Sequence, residues 1–106
     1  MLIYFGVEGG FANQMRSITI ADDGSAMVDI SGTTSEKQLD SAAVKALVAQ
    51  LEASGLFNQD RTYEASGADL QRFEIRYAGA TVVGYDTSLP DELRPATAML
   101  DAAIRS

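Results

Sequence analysis

The chain begins with a run of mostly apolar side chains, and in a β-strand alternate positions of such a run lie on opposite faces. Residues 2–8 are rich in β-branched and aromatic side chains, and Ile3, Phe5 and Val7 share one face. Asp and Gly at 22–25 favour a turn, because Asp tolerates turn geometry and Gly supplies positive φ. The pattern predicts three strands joined by hairpins, over residues 2–8, 14–21 and 26–31.

A helical period follows a polar segment at 31–35, which the composition predicts to be a loop. The apolar stripe of this helix is Val44, Leu47, Val48 and Leu51. Asp40 or Ser41 can cap its first turn, since each carries a side-chain oxygen for the free N–H groups. Gly55 is placed to end the helix in the left-handed conformation.

The second half of the chain predicts another hairpin and another helix. Residues 58–69 show no regular period, apart from a short extended piece near Thr62. Strands are predicted over 70–77 and 81–86, joined by a tight Ala-Gly turn. Proline at position 95 does not suit a helix interior, so we expect a short turn over 90–93 and a main helix that begins at Pro95.

The element order β-β-β-α-β-β-α predicts an α+β fold. Hairpins separated by helices indicate an antiparallel sheet, here of four to five strands, with two helices packed on one face. The 106 residues correspond to a single domain, 1–106, and one ordinary core.

The net charge of −7 limits the kinds of partner that we expect the protein to bind. A surface of this sign repels phosphate backbones and anionic lipid, so we expect no nucleic-acid partner and no membrane partner. It favours solubility and can steer the protein toward a basic patch on another protein. Residues 1–8 lack the features of a signal peptide, so a cytoplasmic protein is expected. We also expect it to be a monomer.

The chain contains no histidine and no cysteine, which removes most catalytic chemistry. Without them there is no usual general base, no thiol nucleophile and no typical structural zinc site. No phosphate-binding loop is present. The neighbouring acids Asp22 and Asp23 fit a turn better than a calcium loop, whose alternating ligands are missing. The sequence therefore predicts a binding protein, with no enzyme activity, no cofactor and no metal.

The segment Gly9-Gly10-Phe11-Ala12-Asn13 is unusual for a hairpin connection. Gly and Asn are expected there, but Phe is not, because the tip of a loop usually points its side chains into water. Two interpretations stay open for Phe11. It folds back onto the sheet and closes the end of the core, or it is an aromatic anchor for a partner's pocket.

Four motifs, in order along nearly the whole chain, resemble the emfourin family. These are small bacterial protein inhibitors of protealysin-like metalloproteases, within the thermolysin group. The motifs are Gly9-Gly10-Phe11-Ala12 with Arg16-Ser17, then 47–51 with Gly55-Leu56-Phe57, Gly67-Ala68-Asp69 with Arg72-Phe73, and finally Leu89 to Pro95.

The resemblance implies an inhibitor of a thermolysin-like zinc metalloprotease. Such enzymes prefer a large apolar side chain just after the scissile bond, and Phe11 is the expected occupant of that pocket. Lacking imidazole and thiolate, the chain could block the enzyme through a carboxylate such as Glu8, through a backbone carbonyl, or by filling the cleft. We favour filling of the cleft by the loop. The alternative is an acidic interaction module, of immunity or adaptor type, with a target that is not a protease.

Further residues complete the expected protein-binding site. Arg16 either braces the loop against Glu8 across the hairpin or is a solubility charge on an edge strand. Asp69 and Arg72 belong to the site only if their loop lies at the same end of the sheet as residues 9–13.

Overall fold

The computed structural model describes residues 1–10 and 14–106, and this part of the chain contains seven strands and two helices. The elements in chain order are β1 (Ile3–Gly9), β2 (Arg16–Ile20), β3 (Ser25–Ile30), β4 (Thr33–Gln38), α1 (Ser41–Ser54), β5 (Arg61–Thr62), β6 (Gln71–Tyr77), β7 (Ala80–Tyr85), a 3₁₀ helix (Asp91–Leu93) and α2 (Arg94–Arg105). The α+β class is confirmed, and α2 begins within one residue of the predicted position.

The strands form one sheet in the order β4-β3-β2-β1-β6-β7-β5. The sheet is larger than the four to five strands expected. It is also mixed, because β5 runs parallel to β7, with Arg61 opposite Val82. The expectation of a wholly antiparallel sheet is therefore wrong at this edge, while the remaining pairs are antiparallel.

Strand β4 replaces most of the predicted polar loop. Ser31 and Gly32 both have positive φ, 51° and 91°, which is the geometry of a tight hairpin turn between β3 and β4. The side chains of β4 are polar and mostly exposed, so no apolar alternation marks it as a strand. Lys37 attaches β4 to the rest of the structure, since its ammonium group donates to the carbonyl of Ala103 in the last turn of α2 at 2.9 Å.

The hydrophobic core lies against one face of the sheet. Ile3, Phe5 and Val7 of β1 share this face, as predicted, and the structure shows that they are almost completely buried. The neighbouring strands and the helices add further buried side chains, among them Ile18, Ile20, Val28, Ile75, Val82, Val44, Leu47, Leu51, Leu93, Ala96, Leu100 and Ile104.

Both helices pack on this same face, as predicted. Tyr77 and Arg16 lie opposite core residues of β1, so their side chains point to the core face. The hydroxyl of Tyr77 donates to Glu52 of α1 at 2.6 Å, and Arg16 bonds to Asp101 of α2. Within the described part of the chain, neither helix has the length and hydropathy to cross a membrane.

The ends of α1 follow the sequence signals in part. Asp40 is the N-cap residue, but its side chain makes no capping hydrogen bond. Gly55 has the predicted left-handed conformation with φ of 68°, and its N–H donates to the carbonyl of Glu52.

The hydrogen bond from Tyr77 predicts a pH dependence of stability. That bond, together with burial and the charge of Glu52, raises the pKa of Tyr77 above its ordinary value. The folded chain therefore holds the phenolic proton more tightly than the unfolded chain does. This contribution is complete below the ordinary pKa of about 10 and is lost as the pH rises through the folded-state value.

We therefore expect Tyr77→Phe to destabilise the protein at pH 8, by about 1 kcal/mol, and to make less difference at strongly alkaline pH. Urea unfolding at several pH values measures this. Glu52→Gln keeps a hydrogen-bond acceptor but removes the charge, so its free energy of unfolding should lie between those of the parent protein and Tyr77→Phe. An equal loss for Tyr77→Phe at every pH would contradict the assignment.

Candidate functional site

The pairing of β1 with β6 brings two distant segments to one end of the sheet. Glu8 lies opposite Arg72, and Gly9 lies opposite Gln71. Beyond the last pair, the N–H of Gly10 donates to the carbonyl of Leu70 at 3.1 Å. We call this end the rim, defined by Glu8, Gly9, Gly10, Met15, Asp69, Leu70 and Arg72. The segment with Asp69 and Arg72 lies beside residues 8–10, so the condition on these two residues is met for residues 9 and 10. Residues 11–13 lie outside the described part of the chain.

The two glycines at the end of β1 are fixed by backbone geometry. Gly9 has φ of 86° and Gly10 has φ of 79°, a region that residues with a Cβ rarely adopt. A Cβ at Gly9 would lie 2.9 Å from the carbonyl oxygen of Leu70, and a Cβ at Gly10 would lie 2.9 Å from the side chain of Gln71. Glycine is therefore required for the close approach of the two segments.

Charged side chains line the rim on the face opposite the helices. A guanidinium nitrogen of Arg72 lies 3.1 Å from a carboxylate oxygen of Glu74 and 3.5 Å from one of Glu8. Glu74 is also bonded to Arg76 at 2.5 Å. These groups are partly exposed, so each pair contributes little to stability, roughly 0–1 kcal/mol. The alternation of positive and negative side chains orients Arg72 and Glu8, and both side chains remain accessible to a partner.

Tyr4 and Arg76 cover the middle of the same face. The guanidinium carbon of Arg76 lies 4.8 Å from the centre of the Tyr4 ring, a cation–π contact. Gly6 leaves the space that the Tyr4 side chain occupies, since a Cβ at Gly6 would lie 2.6 Å from the Tyr4 hydroxyl oxygen. We call the face of the sheet opposite the helices the open face. Below the rim, this face is therefore covered by side chains of the protein itself.

Met15 is a rim residue that the sequence analysis did not identify. Its side chain is 58% exposed. Together with Glu8, Gly9, Leu70 and Arg72 it lines a shallow depression of about 390 Å³. The predicted strand over 14–21 placed Met15 inside regular structure, whereas β2 begins at Arg16 and leaves Met15 before the strand. Within a predicted strand, an apolar Met15 gave no signal that would mark it as a rim residue.

Asp69 completes the other side of the rim. Its φ of 58° is left-handed, which Asp tolerates better than most residues. Asp69 lines a second shallow depression, of about 500 Å³, together with Gly9, Gly10 and Gly67. The loop that precedes β6 and the end of β1 therefore form one continuous surface.

Arg16 does not have the role that the sequence suggested. It lies opposite Val7, so its side chain is on the core face, whereas Glu8 points to the other face. Its guanidinium bonds to Asp101 of α2 at 2.7 Å, and the side chain is only 13% exposed. β2 is an internal strand, so the edge-strand interpretation is wrong as well. Arg16 attaches α2 to the sheet.

Phe11, Ala12 and Asn13 lie outside the described residues. Gly10, which precedes them, belongs to the rim, and Gln14, which follows them, is two residues before the start of β2. The two interpretations of Phe11 remain predictions.

The other chemistry considered from the sequence lies away from the rim. Asp23 belongs to the turn between β2 and β3 at the opposite end of the sheet, where Ser25 donates to its carboxylate from both N–H and hydroxyl. These hydrogen bonds lower the pKa of Asp23, which supports the turn interpretation. Among residues 1–10 and 14–106, no three acidic side chains converge as metal ligands would.

Comparison of the chain with models of known protein families, with curated proteins and with solved structures finds no match. The resemblance to the emfourin family therefore rests on the sequence motifs.

The geometry at Gly9 predicts a specific mutational cost. Gly9→Ala meets both an unfavourable φ and the carbonyl of Leu70, so we expect a loss of stability of about 2 kcal/mol or more. Gly32→Ala is the matched control, because Gly32 has a similar φ of 91° with open space around it. It should cost only about 1 kcal/mol. Urea denaturation measures both, and equal losses would contradict the close approach at the rim.

Proposed function

We propose that the protein inhibits a thermolysin-like zinc metalloprotease and binds it through the rim. The observation that carries the proposal is the register of β1 against β6. It places Glu8 and Gly9 beside Arg72, a residue 64 positions away from Glu8 in the chain. Two of the motifs on which the emfourin resemblance rests thus share one surface. A common binding surface is a physical reason for both motifs to be present.

The stem of the loop favours recognition by shape. Gly10 is tied to Leu70 by a backbone hydrogen bond, and Gly9 is held by sheet pairing. A stem fixed in this way lowers the entropy lost when the following residues enter a cleft. Phe11 is the proposed anchor, because a large aromatic side chain can fill the apolar pocket that these proteases offer.

Direct ligation of the zinc ion is the less favoured mode. The chain has no imidazole and no thiolate. Glu8 could supply a carboxylate from the rim, but this carboxylate already lies 3.5 Å from Arg72. Ligation of zinc by Glu8 would break that contact. Filling of the cleft needs no ligand for the zinc ion, so it remains the favoured mode of inhibition.

A titration of a thermolysin-like zinc protease with the purified protein tests the function. We expect activity to fall in proportion to added protein and to reach zero near an equimolar ratio. Absence of inhibition, with slow cleavage of the chain by the protease, would contradict the proposal. That result would favour the acidic interaction module with another target.

A substitution at Phe11 tests the anchor. Phe11→Ala should weaken inhibition by about 2 kcal/mol or more, roughly 30-fold in the inhibition constant. The reason is that it removes the side chain proposed to fill the apolar pocket of the protease. Phe11→Leu keeps a large apolar side chain and should retain most of the affinity. Met27→Ala removes an exposed apolar side chain away from the rim and is the control. Full affinity of Phe11→Ala would exclude Phe11 as an anchor.

A further inference from the structure

Met15 combines exposure, an apolar side chain and a position in the rim. It lines the depression formed with Glu8, Gly9, Leu70 and Arg72. Its backbone carbonyl accepts a hydrogen bond from the N–H of Ser31 at 2.8 Å, which holds this part of the chain against the turn between β3 and β4. The position of the Met15 backbone is thus fixed while its thioether faces solvent.

The other methionines differ from Met15 in position. Met99 is partly buried against the core. Met1 and Met27 are exposed, but both lie at a groove on the open face that is lined by residues of the opposite end, such as Ala21 and Ser25. The chain has no cysteine, so the thioethers are its most readily oxidised side chains. Met15 alone places such a group in the rim among the described residues.

We infer that Met15 is an apolar contact of the partner interface and that its oxidation to the sulfoxide weakens binding. This inference rests on the proposed function, because the rim must be the surface that meets the protease. It adds a chemical means of regulation, with a hydroperoxide as the oxidant.

The chemical step is a transfer of one oxygen atom. A lone pair of the Met15 sulfur attacks one oxygen of hydrogen peroxide, and the O–O bond breaks. The sulfur is oxidised by two electrons and gains one S–O bond, while the second peroxide oxygen leaves with both protons as water. The sulfoxide returns to the thioether when a methionine sulfoxide reductase reduces it with two electrons from a thiol reductant such as dithiothreitol, and the oxygen leaves as water.

The sulfoxide changes what the rim can bury. A thioether can lie against an apolar partner surface without loss, whereas the sulfoxide oxygen is a strong acceptor that must find a donor. The near rim donor, Arg72, already faces Glu74 and Glu8. Burial of the sulfoxide would therefore leave polar groups unpaired, and a loss of affinity of about tenfold or more is expected.

Oxidation of purified variants tests the inference. Parent protein, Met15→Leu and Met27→Leu are treated with hydrogen peroxide, the peroxide is removed with catalase, and the modified positions are mapped by mass spectrometry. Each protein is titrated against the same thermolysin-like protease before and after treatment. Circular dichroism monitors the fold.

We expect the parent and Met27→Leu to lose affinity about tenfold or more on oxidation, with recovery after treatment by methionine sulfoxide reductase. Met15→Leu should show no change on oxidation, although it keeps Met1 and Met27. Unchanged affinity of parent protein carrying Met15 sulfoxide would overturn the inference, as would an equal loss in Met15→Leu. Absence of inhibition before any peroxide is added would overturn the proposed function as well, so the two failures are distinguishable.

Discussion

β1 forms hydrogen bonds along both of its edges, to β2 on one side and to β6 on the other. The pairing with β6 joins residues about 70 positions apart, so it carries a loop-closure cost that other contacts have to offset. Burial of Phe5 and Ile75 beneath the helices supplies the stabilisation. The register that results sets Glu8 opposite Arg72, and the rim is a consequence of it.

The rim depends on backbone register far more than on its ion pairs. The contacts of Arg72 with Glu8 and Glu74 are partly exposed and individually weak. A slip of β1 by one residue would move Ile3, Phe5 and Val7 from the core to the open face, which the core does not permit. In this register the backbone of Gly9 lies so close to the carbonyl oxygen of Leu70 that a residue with a Cβ does not fit there. The rim is thus positioned by the core.

The sequence patterns predicted the α+β class, both helices, the three-stranded meander at the start of the chain, the later hairpin and the glycine end of α1. They missed β4, because an exposed edge strand carries no apolar alternation and Thr33 and Thr34 resemble loop residues. They misplaced Arg16, since a charge near a strand end does not reveal which face it takes. The grouping of Asp69 with Gly9 could be stated only as a condition, because strand order is not encoded in local periodicity.

The central claim is that the rim is the surface that meets a protease. Amide hydrogen exchange of the chain, alone and with a catalytically inactive thermolysin-like zinc protease, tests it most directly. We expect slowed exchange at residues 8–10 and 67–72, with no change at the turns 22–24 and 78–79 at the opposite end of the sheet. Slowed exchange confined to those distant turns would contradict it.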